Sequence, residues 1–224
     1  GGHAPFIVFE DADLDEAVIG AMANKYRNSG QVCVSANRIY VHENIYDEFS
    51  NRLAEKSSQL KVADGRAEGA QIGPLITSQA FKKVEEHVGD AVEKGAKILT
   101  GGTNDNSGVQ FYKPTVLTDI NSNMKIYYEE TFGPVAPIIK FKDENEVIEM
   151  ANDTKYGLAG YFYSRDIGKI WRVAEALEYG MVGINAGVIS TEVAPFGGIK
   201  ESGIGREGAE EGIEEYLETK YLCF

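Results

Sequence analysis

This sequence predicts an α/β fold, a mainly parallel sheet with flanking helices, on three observations. Short apolar or β-branched runs alternate with helical stretches of about ten or more residues, as crossover connections between parallel strands require. The 224 residues suffice to bury a full core around one such sheet, so a single domain over 1–224 is expected. Hydrophobic content of 43%, with 25 glycines and 6 prolines, is ordinary globular composition, and no internal repeat or low-complexity linker interrupts it.

The elements follow in order. Asp13-Leu14-Asp15-Glu16 reads as a capping box, an N-cap acceptor with a carboxylate three positions on. Leu14, Ala17, Val18, Ala21 and Met22 then recur at helical spacing, and Gly30 is a natural stop. Arg38-Ile39-Tyr40-Val41-His42 alternates like a strand. A second helix is expected over about 46–60 and a third over about 78–94, where Phe81, Val84, Val88 and Ala91 share one face and Gly95 follows the end. Lys97-Ile98-Leu99 reads as a short strand before a turn at Gly101-Gly102-Thr103-Asn104-Asp105-Asn106. Further strands are expected near 113–117, 135–141, 158–163 and 181–184, with helices near 144–151 and 167–178.

Charge and cysteine content exclude several classes. With 22 Lys+Arg against 35 Asp+Glu the formal net charge is −13. Nucleic acid and anionic membrane both call for a basic face, so neither is an expected partner, and the surface reads as that of an acidic cytoplasmic protein. No apolar run approaches the ~18 residues of a transmembrane helix. Cys33 and Cys223 lie at opposite ends and form no disulfide framework, which fits a reducing compartment. His3, His42 and His87 are scattered without ligand spacing, and no metal is expected. Asp11-Ala12-Asp13-Leu14-Asp15 is not a calcium loop, because Glu16 stands at the glycine position and Met22 at that of the bidentate glutamate. Gly1 is not an informative start, and the chain reads as a segment of a longer polypeptide.

The chemistry-bearing run is Lys25-Tyr26-Arg27-Asn28-Ser29-Gly30-Gln31-Val32-Cys33-Val34-Ser35-Ala36-Asn37-Arg38. It presents one thiol on a polar, glycine-containing loop, with two arginines near in sequence. A reachable thiol held near positive charge or backbone N–H groups is a nucleophile, whereas a buried one is a small hydrophobe. The run alone leaves both readings open. Gly203-Ile204-Gly205-Arg206-Glu207-Gly208 is a literal G-x-G-x-x-G, but polar and Gly-rich residues stand where the preceding strand should be. The chain also ends at Phe224, short of the acidic residue a dinucleotide fingerprint places about 20 positions on, so a tight structural loop is the reading. Arg27 by position complements the negative end of the first helix, and Glu129 and Glu130 read as solvated charges before a turn.

Four segments together carry a resemblance. Gly30-Gln31-Val32-Cys33 is similar to the nucleophile loop of the NAD(P)-dependent aldehyde dehydrogenases. Gly1-Gly2-His3-Ala4-Pro5 resembles the end of that family's Glu-Leu-Gly-Gly-x-x-Pro motif. Glu129-Glu130-Thr131-Phe132-Gly133-Pro134-Val135 resembles its Glu-x-Phe-Gly-Pro motif, and the stretch from Pro195 to Glu207 its late Gly-rich segment. They stand in family order from one end of the chain to the other, and the succinate-semialdehyde branch is the most similar.

The resemblance implies a catalytic domain with Cys33 as nucleophile and NAD or NADP as cofactor. It implies that Glu130 binds the nicotinamide-ribose hydroxyls, as a carboxylate can accept from a diol, and that Phe132 lies beside the nicotinamide, ring against ring. Arg27 and Ser190 would hold the remote carboxylate of succinate semialdehyde, a guanidinium fork and a hydroxyl being suited to that group. Phe196 would line the substrate entrance, although a plain core aromatic is an equal reading of its Pro-Phe-Gly-Gly turn. The implied reaction is oxidation of succinate semialdehyde to succinate through a Cys33 thiohemiacetal and a thioacyl intermediate. Another carboxylated aldehyde such as glutarate semialdehyde is the alternative substrate, and a module inactive without an upstream half is the alternative state. Some members of the branch carry a second cysteine two positions after the nucleophile. Here Ser35 stands there, which rules out a disulfide between those positions. The family's deacylating glutamate lies two residues before the position of Gly1, with the Rossmann half further upstream. About 207–224 is expected to form a C-terminal strand or arm of the kind that contributes subunit contacts in a dimer or tetramer.

Overall fold

The computed structural model describes residues 1–224. Its main sheet has seven strands. From edge to edge they are β3 (Lys97–Thr100), β4 (Thr115–Thr118), β5 (Val135–Phe141), β2 (Ala36–His42), β1 (Ala4–Val8), β7 (Ala159–Tyr163) and β8 (Met181–Ile184). Every neighbouring pair is parallel except β3 with β4. The expected α/β class is therefore what forms. A second, two-stranded sheet pairs β6 (Tyr156–Gly157) with β9 (Ile199–Lys200).

The central strand β1 is missing from the sequence expectation. Its run Ala4-Pro5-Phe6-Ile7-Val8 is buried throughout, so it shows no alternation. Pro5 would argue against a central strand, yet the register with β2 breaks between Ala4 and Pro5, where an absent N–H is tolerated. Beyond the break the side chains divide between two cores. Phe6 and Val8 pack with Ala17, Val18 and Ala21 of α1 (Leu14–Tyr26) and Phe49 and Leu53 of α2 (Tyr46–Ser58). Ile7 and Phe9 pack on the other side with Val84 and Val88 of α3 (Ser78–Glu93), Val147 of α5 (Glu144–Asn152) and Val173 of α6 (Ile167–Ala176). A one-turn helix, α4 (Lys125–Tyr128), precedes the Glu129–Pro134 segment. Each fully buried Phe, Ile or Val side chain contributes roughly 1.5–3 kcal/mol, and both faces of β1 are filled with them.

Side-chain caps start four helices as their sequences suggest. Asp13 accepts from the Glu16 N–H at 3.2 Å, and Thr77, Asp143 and Asp166 do the same for α3, α5 and α6. Within the stretch expected as a C-terminal strand or arm, about 207–224, Glu211–Tyr216 forms a 3-10 turn and residues 217–224 are exposed without strand pairing inside this chain. A strand needs a neighbour for its N–H and C=O groups, and no strand of this chain lies beside that stretch.

Candidate active site

The site gathers at the amino-terminal edge of the parallel strands. Gly1 and Gly2 enter β1, the Cys33 loop enters β2, Glu130 precedes β5 and Leu158 precedes β7. Open α/β sheets more often bind ligands at the opposite, carboxyl edge. Here α1 runs back from the carboxyl end of β1 and delivers Cys33 to the amino end of β2.

Local backbone geometry shapes the Cys33 loop. Helix α1 stops at Tyr26, and Asn28, Ser29 and Gly30 then take left-handed conformations, with φ of 50°, 59° and 75°. Such a run is costly for residues bearing a Cβ, so the surroundings must impose it. Ser29 Oγ donates to the Gly73 carbonyl at 3.1 Å and accepts from the Gly73 N–H at 3.0 Å. Gln31 Oε1 accepts from the Ile76 N–H at 2.8 Å, and Asn28 Nδ2 donates to the Gln31 carbonyl at 3.1 Å. A Cβ on Gly30 would sit 2.1 Å from the Gly133 carbonyl oxygen, so the loop presses directly on the Glu129–Pro134 segment. A Cβ on Gly2 would sit 2.3 Å from the Cys33 carbonyl oxygen, which brings the start of β1 under the nucleophile.

Cys33 is a free, half-buried thiol. Together with Phe196, Arg206 and Glu207 it lines an open cavity of about 750 Å³ whose walls are rich in glycine. The Cys33 backbone N–H donates to no acceptor within the chain, while Gln31 and Ser35 on either side are bonded to Asn28 and Val32. That leaves a donor beside the sulfur. Arg38 does not serve the thiol. It is fully buried and donates to the carbonyls of His3, Met150 and Ala151 and to the Tyr179 hydroxyl. No hydrogen bond joins a histidine to Cys33: His3 Nε2 donates to the Tyr127 carbonyl at 2.8 Å, and His87 bonds Glu129 and Thr131. His42 reaches Glu10 and the Asn44 N–H, so the three histidines are dispersed. No group of three metal-ligating side chains gathers in the molecule.

Arg27 and Ser190, 163 positions apart by their numbers, meet in one cleft. Its wall includes Val32 and Val34, the residues on either side of Cys33. The loop bearing Ser190 leaves the carboxyl end of β8 and is drawn along α1. Asn24 Nδ2 donates to the Gly187 carbonyl at 2.8 Å, Asn24 Oδ1 accepts from the Ala36 N–H at 2.6 Å, and a Cβ on Gly187 would sit 2.3 Å from the Gly20 carbonyl oxygen. The Tyr161 hydroxyl donates to the Val34 carbonyl at 2.8 Å from below. The cleft encloses about 10 Å³, room for a water-sized group, so a carboxylate would meet the exposed Arg27 and Ser190 at its mouth.

Glu130 and Phe132 lie across the loop. Glu130 Oε1 accepts from the Gly2 N–H at 3.0 Å, while no hydrogen bond occupies Oε2, which fits a group that accepts from a ribose diol. Phe132 is half-buried at φ 56°, a strained conformation next to Gly133. Phe196 is half-buried, on the cavity wall with Cys33 and packed at its other side against the core that holds Phe6 and Val8. Gly203, Gly205 and Gly208 belong to the same wall, and the strand before them, β9, pairs antiparallel with β6 outside any βαβ unit. Sequence reasoning missed Asn24, which joins three segments of the site, and Glu207, which brings a carboxylate to the cavity. Asn24 carries no signal beyond being a buried amide in a helix, and Glu207 sat in a stretch read as purely structural.

Cys33 on a tight loop, the Glu129–Pro134 segment pressed against that loop, and an α/β sheet of this strand order make up the candidate site. The chain belongs to the aldehyde dehydrogenase family, whose model matches residues 1–222. It is 59% identical over 223 residues to an NADP-dependent succinate-semialdehyde dehydrogenase of Escherichia coli (strain K12), covering 100% of this chain and 46% of that protein. A glutarate-semialdehyde dehydrogenase of Pseudomonas putida is 60% identical with the same coverage. The crystal structure of succinate-semialdehyde dehydrogenase from Burkholderia pseudomallei superposes with a TM-score of 0.98 at 59% identity, over 100% of this chain and 46% of that one. The chain thus spans about half the length of the relatives it matches.

Proposed function

We propose that these residues form the catalytic half of an NAD(P)-dependent dehydrogenase that oxidises succinate semialdehyde to succinate. One observation carries the reading: Arg27 and Ser190 share a cleft whose wall flanks Cys33. A substrate held by its carboxylate at one end then has its carbonyl placed for the sulfur. The Cys33 thiolate adds to the carbonyl carbon, forming a C–S bond, and the resulting oxyanion accepts from the free Cys33 N–H. A nicotinamide held at Glu130 and Phe132 would supply the hydride acceptor. Collapse of the oxyanion re-forms the carbonyl as the hydride leaves that carbon, giving a thioester on Cys33. Water then adds and the C–S bond breaks, releasing the acid and returning the thiolate. Glu130 and Phe132 serve the cofactor, and Phe196 the substrate entrance. An acidic surface and two unpaired cysteines support a cytoplasmic location, and the exposed apolar arm after residue 211 supports assembly into a dimer or tetramer.

Two substitutions in the full-length enzyme test this. Cys33→Ala should abolish turnover, and retained dehydrogenase activity would end the proposal. Arg27→Ala should lower kcat/KM for succinate semialdehyde by roughly tenfold or more, the cost of one charge-assisted hydrogen bond, and leave propanal within about twofold. Equal losses on both substrates would make Arg27 a structural residue. The Pseudomonas putida relative favours a second reading, glutarate semialdehyde, because its identity to this chain is as high. Comparing kcat/KM across carboxylated aldehydes of increasing length decides between them.

A further inference from the structure

Helix α3 reaches the site from behind the sheet, through a histidine outside all the motifs. His87 is buried, with 1% exposure. Its Nε2 lies 3.2 Å from Glu129 Oε2 and its Nδ1 3.1 Å from Thr131 Oγ1. A carboxylate can only accept, so Nε2 carries the proton and donates to Glu129. Burial lowers the His87 pKa and favours the neutral ring. Nδ1 of the neutral ring then accepts from the Thr131 hydroxyl, itself 2% exposed. One side chain therefore grips both residues that bracket Glu130.

The rest of α3 reinforces the grip. Asp90 Oδ2 accepts from the Lys125 N–H at 2.8 Å, and Glu86 pairs with the Lys125 ammonium. Val84 closes on Gly133, where a Cβ would lie 2.6 Å from Val84 Cγ2. These contacts bear on the segment that holds Phe132 at φ 56°, a conformation that persists only when its surroundings over-determine it.

We propose that His87 is a positioning residue for the cofactor: by clamping Glu129 and Thr131 it holds the Glu130 carboxylate where the nicotinamide ribose meets it. The inference rests on the reading of Glu130 as the ribose ligand. Its physical basis is that a carboxylate on a six-residue link between helix and strand can swing, and a bracket on both neighbours removes that freedom before binding.

The test measures NADH and NADPH dissociation constants by fluorescence titration of the full-length enzyme, alongside the rate of Cys33 alkylation by iodoacetamide without cofactor. His87→Ala should weaken binding of the preferred cofactor on the order of tenfold and leave Cys33 alkylation within about twofold. His87→Gln, whose amide offers one donor and one acceptor at similar reach, should recover most of the affinity. Should His87→Ala fail to fold, Thr131→Val removes one partner isosterically and should still weaken binding severalfold. Unchanged affinity in a folded His87→Ala, with affinity lost in Glu130→Gln, would overturn the clamp and leave the role of Glu130 standing. Unchanged affinity in Glu130→Gln would overturn both. Equal losses in His87→Ala and His87→Gln, with slowed Cys33 alkylation, would mark a general packing residue and overturn the proposal.

Discussion

Lys25 is the residue whose burial is hardest to account for by packing alone. It is fully buried beneath the nucleophile loop, where its ammonium donates to the Ala36 carbonyl at 2.7 Å and to Asn37 Oδ1 at 3.4 Å. Desolvation drives its pKa from 10.5 down to about 7, while the Glu130 carboxylate pulls it back up. Between those values the unfolded chain binds a proton that the folded chain gives up. Folding stability should therefore rise with pH from about 7 towards 10.5. Buried phenols oppose this at the upper end: Tyr46 and Tyr163 are each raised to about 12 by burial, so folding loses stability as pH climbs past the ordinary phenol value of 10.0. Lys25→Met keeps the length and removes the charge. It should flatten the rise in urea midpoint between about pH 7 and pH 9.5, with a pH-independent loss of about 1–3 kcal/mol from the two abandoned acceptors. A rise as steep in the variant as in the parent would assign the dependence to another group. The same residue shows what the sequence could not disclose. A lysine before a glycine-containing loop reads as surface charge, and only the fold reveals that α1 turns it inward.

At the scale of elements, legibility followed the physics of each signal. Helices with a side-chain cap and one apolar face were readable. α3 is the clearest case, with Thr77 capping it and Val84, Val88 and Ala91 buried along one side. Most strands were readable to within two residues, buried interior ones included, as β4 shows by starting at Thr115 where 113 was expected. β1 was not readable, because its run lacks alternation and also carries Pro5, which argues against a central strand. The site divided in the same way. Cys33, Glu130 and Phe132 sit in short motifs that can be recognised locally. The meeting of Arg27 with Ser190 depends on Gly187 letting its loop close on the backbone of α1 at Gly20, and nothing local to either residue announces it. His87 shares the buried face of α3 with Val84, Val88 and Ala91, and there it reads as a core histidine until the fold brings Glu129 and Thr131 to its ring.

For the whole molecule, the sheet places its chemistry on one edge and its unpartnered apolar surface at the end of the chain. Ile213, Tyr216, Leu217, Tyr221 and Leu222 are each at least 64% exposed, on a chain whose net charge of −13 otherwise favours separation of copies. Scattered exposed leucines need no explanation, but a run of them beyond the last paired strand does. The proposed arm gives one: its N–H and C=O groups and its apolar side chains are satisfied together when it lies against another subunit. The mutation that separates assembly from folding is Leu217→Asp combined with Leu222→Asp. Neither residue belongs to the two hydrophobic clusters on the faces of the sheet, so the unfolding transition of a subunit should shift by no more than about 0.5 kcal/mol. Sedimentation velocity of the full-length enzyme should show the sedimenting species fall in mass, more completely as protein is diluted. If the doubly charged variant sediments like the parent at every concentration, the arm is an exposed tail and subunit contacts lie on another face.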